Sequence, residues 1–310
     1  MSIAGAMASP ASSSNLAPLK LALIGAGAMG ANYVKAVQTL TDVKIVALVD
    51  KDVERANRVG AVIGARAAAS PAYAGEIDAA LVVVPSADHR TVAEPLLARG
   101  LPCLVEKPFA LTEQDCRALM TAAAKSGACL QVGHVERFNA GVQALLALKP
   151  ASSEMRLLTA RRMNSGSARV TDIDVVLDLM VHDLDVVMAL KGLPVTEIRA
   201  MGTKDHAVAV LTFSDGATAH LTASRITEGR TRDLAVEMKD GAVYGVDFIG
   251  RSLTRDGVAL PVAGDANNLG RQMTSFAHSI RNGAPPAVSG QDALDVMQVV
   301  WRVQKALGLA

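Results

Sequence analysis

Two separated groups of ionisable residues in this chain have the types and spacing needed for proton transfer. Glu106 and Lys107 stand directly before a proline, at the end of an apolar run. About 70 residues later, Asp178, His182 and Asp185 fall four and seven positions apart, which places them on one face of a helix otherwise rich in Val, Leu and Met. A histidine that accepts a proton, a carboxylate that supports the imidazolium and a lysine that hydrogen-bonds a developing alkoxide would together suit the oxidation of an alcohol. Taken alone, the helix is more typical of an N-terminal acid and a core histidine with satisfied hydrogen bonds, but the matching lysine elsewhere in the chain favours chemistry.

A glycine-rich turn near the start of the chain predicts a dinucleotide site. An apolar strand that begins at Leu19 breaks at Gly25 and Gly27, and a helical pattern continues after Gly30. In this GxGxxG arrangement the first glycine permits the tight turn and the second leaves room for a pyrophosphate. The third lets the helix pack closely on the strand, with the helix N-terminus facing the anion.

The end of the second strand indicates which dinucleotide is bound. Asp50 stands there, twenty residues after Gly30, where an acid can hydrogen-bond the adenosine ribose. This favours NAD, although Lys51 and Arg55 nearby would tolerate the 2′-phosphate of NADP. The residues expected to contact the cofactor lie in the glycine turn and at the strand ends: Gly25, Gly27, Ala28, Met29, Gly30, Asp50, Pro85, Ser86, His89, Glu106 and Lys107.

Buried strands alternate with helical segments up to about residue 135, where ACLQVGHVERF (128–138) predicts a sixth strand, and a helix is expected over 175–190 in the following part of the chain. Near-continuous apolar runs such as ALVVV (80–84) and CLVE (103–106) predict a parallel sheet with helices on both faces. Ligands of such sheets sit beyond the carboxyl ends of the strands. We therefore predict an α/β fold with an NAD-binding Rossmann domain over residues 19–135, preceded by a disordered tail over 1–18.

The remaining residues, 136–310, predict a substrate domain of the α+β class. Asp-Gly pairs at 215–216, 240–241 and 256–257 each separate strand-like runs and are strong signals for β-hairpins. The result is a large, mostly antiparallel sheet with helices on one face. The last segment, QDALDVMQVVWRVQKAL, has apolar residues at helical spacing and predicts a packing helix that can return to the first domain.

Composition argues against several other classes of protein. Thirty-one basic and 30 acidic residues leave a net charge of +1, and few aromatic residues are present to stack on bases, so nucleic acid is not expected as a partner. No run reaches the ~18 apolar residues of a membrane span, and the first 18 residues lack the Lys or Arg of a secretory signal. Three cysteines without a CxxC pair, and histidines without ligand spacing, predict a cytoplasmic protein with reduced thiols and no metal.

These features resemble the glucose-fructose oxidoreductase and inositol dehydrogenase (Gfo/Idh/MocA) family, from Leu19 to the C-terminus. The resemblance rests on GAGAMG (25–30), VEKP (105–108), VGHVERFN (132–139) and DLMVHDLD (178–185). It implies that the peptide bond between Lys107 and Pro108 is cis and that the lysine points at the nicotinamide and the reacting hydroxyl. It also implies that His182, four residues after Asp178, accepts the proton. The predicted catalytic residues are therefore Lys107, His182 and Asp178, and the open face of the sheet is expected to pack on other subunits in a homodimer or homotetramer.

Within that family, segment 161–187 and VGHVERFN most resemble the branch that oxidises UDP-N-acetylglucosamine at C3. This implies a 3-keto nucleotide sugar on the way to the diamino sugars of lipid A, with a downstream aminotransferase as a functional partner. A diphosphate sugar needs several cationic donors. The candidates on strands and loops around the helix are Arg161, Arg162, Arg169, Arg225, Arg230 and Arg232. We expect substrate contacts from Arg137, Arg162, Arg169 and Asp185, although Arg137 at the domain junction also suits a structural role.

Three other functions fit the same pattern. A dehydrogenase of a free sugar or cyclitol would ignore UDP. An NAD-dependent glycosidase would send the hydride out and back within one cycle, with no net NADH. A ligand sensor would be catalytically silent, and the presence of both Lys107 and His182 argues against it.

Overall fold

The computed structural model describes residues 17–165 and 173–309, without the side chain of Tyr73. Almost all of the predicted N-terminal tail, and the whole of Arg169, lie outside the described residues. In the described part, the first sheet has six parallel strands in the order β3-β2-β1-β4-β5-β6. Its strands and the helices between them are β1 (Leu19–Ile24), α1 (Ala28–Val37), β2 (Val43–Val49), α2 (Val53–Gly60), β3 (Arg66–Ala68), β4 (Ala79–Val82), α3 (His89–Ala98), β5 (Cys103–Glu106), α4 (Glu113–Ser126) and β6 (Leu130–Gly133).

The central strands of this sheet are apolar because both of their faces are covered. Every residue of β4, β5 and β6 is buried, which accounts for their continuous rather than alternating apolar pattern. Parallel strands bring their carboxyl ends to one edge. The glycine turn after β1, Asp50 after β2 and Lys107 after β5 therefore lie along the same edge, as the sequence predicts.

The second sheet has eight strands in the order β14-β13-β12-β11-β7-β10-β9-β8. All neighbours in it are antiparallel except β10 and β7, which are parallel. The three Asp-Gly pairs lie at hairpin turns, and each of their glycines has a positive φ. The elements from this part of the chain are α5 (Ala140–Ala147), β7 (Met155–Ser165), α6 (Val181–Lys191), β8 (Val195–Gly202), β9 (His206–Phe213), β10 (Thr218–Ser224), β11 (Ile226–Met238), β12 (Val243–Asp247), β13 (Ser252–Arg255), β14 (Val258–Leu260), α7 (Asn268–Asn282) and α8 (Gly290–Ala306). This confirms the predicted fold class.

Helices cover one face of the second sheet and connect it to the first. Helix α6 packs on β7 and β10, and α8 packs on α6, on β8 and on α4 of the first domain. Helix α7 returns to the first domain and packs against α1 and β2. Helix α8 thus connects β6, at the edge of the first sheet, with α6. No helix in the described part of the chain combines the length and apolar character needed to cross a membrane.

Four elements differ from the sequence prediction. The strand expected over ACLQVGHVERF is only Leu130–Gly133, because the chain turns into a 3₁₀ helix at Val135–Phe138. The helix expected over 175–190 begins as a π-helical turn, Val176–Met180, before α6. Helices α5 and α7 were not predicted. The buried face of α7 carries Gly270, Gln272 and Ser279 beside its apolar residues.

Candidate active site

The glycine turn leaves a cradle at the N-terminus of α1. Gly25 has φ +109°, and a Cβ there would lie 2.4 Å from the carbonyl oxygen of Val83. A Cβ on Gly30 would lie 2.2 Å from the carbonyl oxygen of Gly25. At Gly27, by contrast, a Cβ would meet no described atom within 4 Å. The open space beside Gly27 and the exposed first residue of the helix, Ala28, is where a pyrophosphate fits, because the free N–H groups of the helix point there.

Asp50 is fixed against this turn. Its Oδ2 accepts a hydrogen bond from the backbone N–H of Ala26 at 2.8 Å, and its Oδ1 accepts one from the Arg55 guanidinium at 2.7 Å. Burial by itself would raise the pKa of Asp50, but the hydrogen bonds from Arg55 and from backbone amides hold it below its ordinary value. The carboxylate is therefore ionised and able to accept hydrogen bonds from ribose hydroxyls. Met29 in the first turn of α1 is half-buried beside the cradle.

The loop after β4 presents Pro85 and Ser86 at the same edge, whereas His89 is turned inward. Its Nε2 lies 3.0 Å from the carbonyl oxygen of Val84 and its Nδ1 lies 3.2 Å from that of Phe109. The ring thus joins the loop after β4 to the loop after β5. Burial lowers the pKa of His89 in spite of these contacts. Its predicted contact with the cofactor stays a prediction, and the geometry gives it a clear role in holding the two loops.

Lys107 reaches from the first domain to the second. The peptide bond between Lys107 and Pro108 is cis. The Nζ donates a hydrogen bond to the backbone carbonyl of Asp178 at 2.9 Å and lies 3.8 Å from its Oδ1. Burial lowers the pKa of the lysine, while the charges of Asp178 and Glu106 oppose that change. This contact places an ammonium group of the NAD-type domain directly on the helix that carries the predicted base.

Glu106 fixes the backbone of Lys107 through a buried hydrogen-bond network. Its Oε1 accepts a 2.6 Å hydrogen bond from the Tyr33 hydroxyl on α1, and its Oε2 accepts one from the Lys107 backbone N–H at 3.0 Å. Gln272 on α7 donates to the tyrosine oxygen at 2.6 Å. Burial raises the pKa of Glu106, and these hydrogen bonds oppose it. Sequence reasoning missed Tyr33 and Gln272, because nothing in a tyrosine at residue 33 or a glutamine at 272 signals that α1 and α7 meet behind β5.

His182 lies on α6, partly exposed, with its Nδ1 buried and without a hydrogen-bond partner among the described residues. Burial holds the pKa of His182 well below its ordinary value, and the nearby charges of Lys107 and Arg162 lower it further. The imidazole is therefore neutral near pH 7 and free to accept a proton. The four-residue spacing predicts that Asp178 pairs with His182, but the Asp178 carboxylate lies 3.8 Å from the Lys107 Nζ and 3.6 Å from the Arg225 guanidinium. No hydrogen bond joins Asp178 to His182 in the described part of the chain, because Asp178 belongs to the π-helical turn and its neighbours are the two cations.

Helical spacing predicts that Asp185 lies with Asp178 and His182 in the active site, but its carboxylate is paired elsewhere. It is fully buried and accepts hydrogen bonds from the Arg137 guanidinium at 2.7 and 3.0 Å. The buried ring of His134 lies beside it, with Nδ1 3.8 Å from Oδ1. This pairing ties the segment after β6 to α6. Contacts of Arg137 and Asp185 with substrate stay predictions. The observed ion pair agrees with the structural role that the sequence also allows for Arg137.

Arg162 is also fully engaged within the protein. It is 1% exposed, and its guanidinium donates to Asp183 at 2.8 Å and to Glu136 at 2.8 Å. Although burial opposes it, these carboxylates raise the pKa of Arg162. The sequence prediction of a substrate contact did not anticipate that two buried acids occupy this side chain. The Arg162 cluster instead joins β7, α6 and the 3₁₀ helix after β6.

Two family models match this chain. One, described as an oxidoreductase family with an NAD-binding Rossmann fold, covers residues 19–134, and the other, a GFO/IDH/MocA C-terminal domain, covers residues 159–244. The UDP-N-acetylglucosamine 3-dehydrogenase of Acidithiobacillus ferrooxidans is 32% identical over 242 residues, which is 76% of each chain. The chain belongs to the Gfo/Idh/MocA family. It is an oxidoreductase, and its first domain is a Rossmann domain of the NAD-binding type.

Solved structures of relatives agree with this membership. The A. ferrooxidans enzyme superposes with a TM-score of 0.87 at 28% identity, over 94% of this chain and 98% of that one. GenD2 from gentamicin A biosynthesis, solved in complex with NAD, superposes with a TM-score of 0.84 at 19% identity, over 97% of both chains. At that identity GenD2 supports the fold alone. An inositol 2-dehydrogenase of Pseudomonas fluorescens is 33% identical over 54% of this chain and 53% of its own length.

Proposed function

We propose that this member of the family oxidises a secondary hydroxyl of a nucleotide sugar with NAD, and that the substrate is UDP-N-acetylglucosamine, oxidised at C3. The observation that carries the reaction type is the contact between Lys107 and Asp178, which brings the ammonium of one domain beside the neutral His182 of the other. The choice of substrate is supported by the similarity to the A. ferrooxidans dehydrogenase.

NAD is the proposed cofactor. The cradle beside Gly27 fits its pyrophosphate, and the ionised Asp50 carboxylate suits the two hydroxyls of an adenosine ribose. A 2′-phosphate would instead meet that carboxylate, and Arg55 is already paired with it. When bound, NAD supplies the acceptor for the hydride that leaves the sugar carbon.

Residues of the chain accept the hydroxyl proton and stabilise the charge that develops on the sugar oxygen. His182 takes the hydroxyl proton, because its environment keeps the ring neutral beforehand. The Lys107 ammonium hydrogen-bonds the oxygen as negative charge develops on it. Asp178 holds that ammonium by its backbone carbonyl and carboxylate, a role that replaces direct support of the imidazolium. The balance is one alcohol oxidised to a ketone, one hydride transferred and one proton released.

The product, a 3-keto nucleotide sugar, would be consumed by an aminotransferase on the way to diamino sugars of lipid A. We also propose that the chain forms a homodimer or homotetramer through the face of the second sheet that α6 and α8 leave uncovered. Light scattering coupled to size-exclusion chromatography would contradict this by giving the mass of one chain.

Mass spectrometry of the sugar tests the reaction. Purified protein is incubated with NAD and UDP-N-acetylglucosamine, and an aminotransferase with its amine donor is added to draw off an unfavourable ketone. A product lighter by two hydrogens, or its amino-trapped derivative, is expected. Unchanged UDP-N-acetylglucosamine together with NADH formation on inositol or glucose would move the function to a free-sugar or cyclitol dehydrogenase, as the resemblance to inositol 2-dehydrogenases allows.

A further inference from the structure

A pair of arginines on the second sheet faces the same side as Arg162. Arg232 on β11 lies opposite Arg162 on β7, and Arg230 lies opposite Asn164. Side chains two residues apart on a strand leave the same face, with Cα atoms about 7 Å apart. Arg230 and Arg232 therefore extend the row that begins at the Arg162 cluster, on the face that α6 covers.

These two arginines differ from Arg162 in their contacts within the protein. Arg162 is satisfied by Asp183 and Glu136, whereas Arg230 and Arg232 make no side-chain hydrogen bond or ion pair within the described residues. The Nε of Arg232 is nevertheless buried. Burial lowers the pKa of Arg232, and the charges of Arg162 and Arg230 lower it further.

A hydrogen-bond acceptor beside this pair also lacks a partner among the described residues. The side-chain oxygen of Asn164, opposite Arg230, is buried without a partner in the described chain. Arg232 is half-buried and its charge lowers the pKa of both Lys107 and His182, whereas Arg230 is exposed. A partly buried guanidinium without an ion-pair partner is costly, and an anionic ligand at Arg232 would reduce that cost. The row thus runs outward from the reacting centre, Arg232 first and Arg230 beyond it.

We propose that Arg232 and Arg230 form the subsite for the diphosphate of a nucleotide-sugar substrate. The inference rests on the proposed function and adds where the substrate lies: the sugar between Lys107 and His182, and the diphosphate along β11. Two guanidinium groups in a row match two linked phosphates, since each can bind one bidentately. The pyrophosphate of NAD is held elsewhere, at the glycine turn of the first domain, so the two diphosphates do not compete.

The test measures binding of UDP and of UDP-N-acetylglucosamine by calorimetry, in the presence of NAD. Arg232→Gln and Arg230→Gln should each weaken both ligands by about tenfold or more, because each loses a charged bidentate contact. The dissociation constant of NAD should be unchanged, and the midpoint of thermal unfolding without UDP should not fall. Arg232→Lys keeps the charge and should recover part of the affinity. The control is Arg156→Gln, which removes an exposed arginine of β7 that is ion-paired with Glu237.

The outcomes distinguish a failure of the proposed subsite from a failure of the proposed substrate. If UDP-N-acetylglucosamine is oxidised but its KM in both glutamine variants stays within twofold of the wild type, the diphosphate lies elsewhere and the inference is wrong. If UDP binds in a manner that depends on both arginines but no UDP-sugar is oxidised, the subsite stands and the proposed substrate fails. If the folded wild-type protein binds neither UDP nor inorganic pyrophosphate with NAD present, the inference is overturned.

Discussion

At the scale of single residues, the active site depends on keeping His182 neutral among cations. Burial and the positive charges around the ring both disfavour the imidazolium, so the proton that it accepts must be passed on rather than held. Burial also lowers the pKa of Lys107, but the charges of Asp178 and Glu106 offset part of that change. The site therefore separates a neutral acceptor from a charged donor although the two side chains are neighbours.

Replacement of either group should abolish turnover while leaving the cofactor site intact. His182→Ala removes the proton acceptor, and Lys107→Met removes the charge that stabilises the developing alkoxide. Each should lower the single-turnover rate by about 10²- to 10⁴-fold. The dissociation constant of NAD should change little, because the cradle lies at the glycine turn. His220→Ala, which alters an exposed histidine of β10, is the matched control. Wild-type single-turnover rates in either variant would show that the catalytic assignment is wrong.

A second residue-scale prediction concerns the support beneath the lysine. Tyr33→Phe removes a donor from the buried Glu106 carboxylate, so the free energy of unfolding should fall by about 1–3 kcal/mol. Urea unfolding measures this directly. Tyr244→Phe is the control, because the Tyr244 hydroxyl has no hydrogen-bond partner in the described chain, and it should cost much less. Equal stability of the two variants would mean that water or Gln272 replaces the lost bond.

At the scale of elements, the π-helical turn at Val176–Met180 decides which groups meet. In a regular α-helix, Asp178 and His182 would be stacked on one face, and the aspartate would be the natural partner of the imidazole. In the structure Asp178 lies in the turn itself, and its carbonyl oxygen accepts from Lys107. Such single π-turns within helices are frequent at functional sites.

The glycine turn offers an element-scale prediction that separates binding from folding. Gly27→Ala should fold normally, since its Cβ meets no described atom, but should weaken NAD binding by about tenfold because the methyl group enters the cradle. Gly30→Ala should instead lower the free energy of unfolding by about 3 kcal/mol, because its Cβ would collide with the carbonyl oxygen of Gly25. Fluorescence titration with NADH and urea unfolding give the two readouts. A stable Gly30→Ala, or a Gly27→Ala that binds NADH like the wild type, would contradict the assigned roles.

At the scale of the whole molecule, three histidines whose pKa is lowered in the folded protein link stability to pH. Burial lowers the pKa of His89, His134 and His182 in the folded protein. The unfolded chain, with an ordinary histidine pKa of about 6.5, then binds protons that the folded protein does not. The free energy of unfolding should therefore fall as pH drops below about 6.5, by up to about 1.4 kcal/mol per pH unit for each histidine.

Unfolding midpoints measured between pH 7.5 and 5 test this expectation. That window lies above the ordinary carboxylate range, but burial raises the pKa of Glu106 and Asp183, so histidine variants are needed to assign the slope. His134→Gln should reduce the slope relative to the wild type, whereas the exposed His220→Gln should not. A midpoint that is constant over this window would mean that the buried rings remain accessible to protons in the folded state.

The sequence by itself determined the elements whose physics is local. The turn at Gly25 to Gly30, the acid at Asp50, the Asp-Gly hairpins and the buried strands are each set by backbone freedom or by a periodic apolar pattern within a few residues. The same local signals, with the motifs around Lys107 and His182, were enough to predict the two-domain α/β fold and the family.

Only the tertiary structure decided how the charged residues are paired. Helical spacing cannot show that Asp178 serves the lysine, that Asp185 serves Arg137, or that Arg162 is enclosed by two acids, because each partner comes from a distant segment. The link from Glu106 through Tyr33 to Gln272 depends in the same way on α7 returning to the first domain. The pairing of buried charges depends on their proximity in three dimensions and on the cost of leaving a charge unpaired. Neither quantity can be derived from the local sequence.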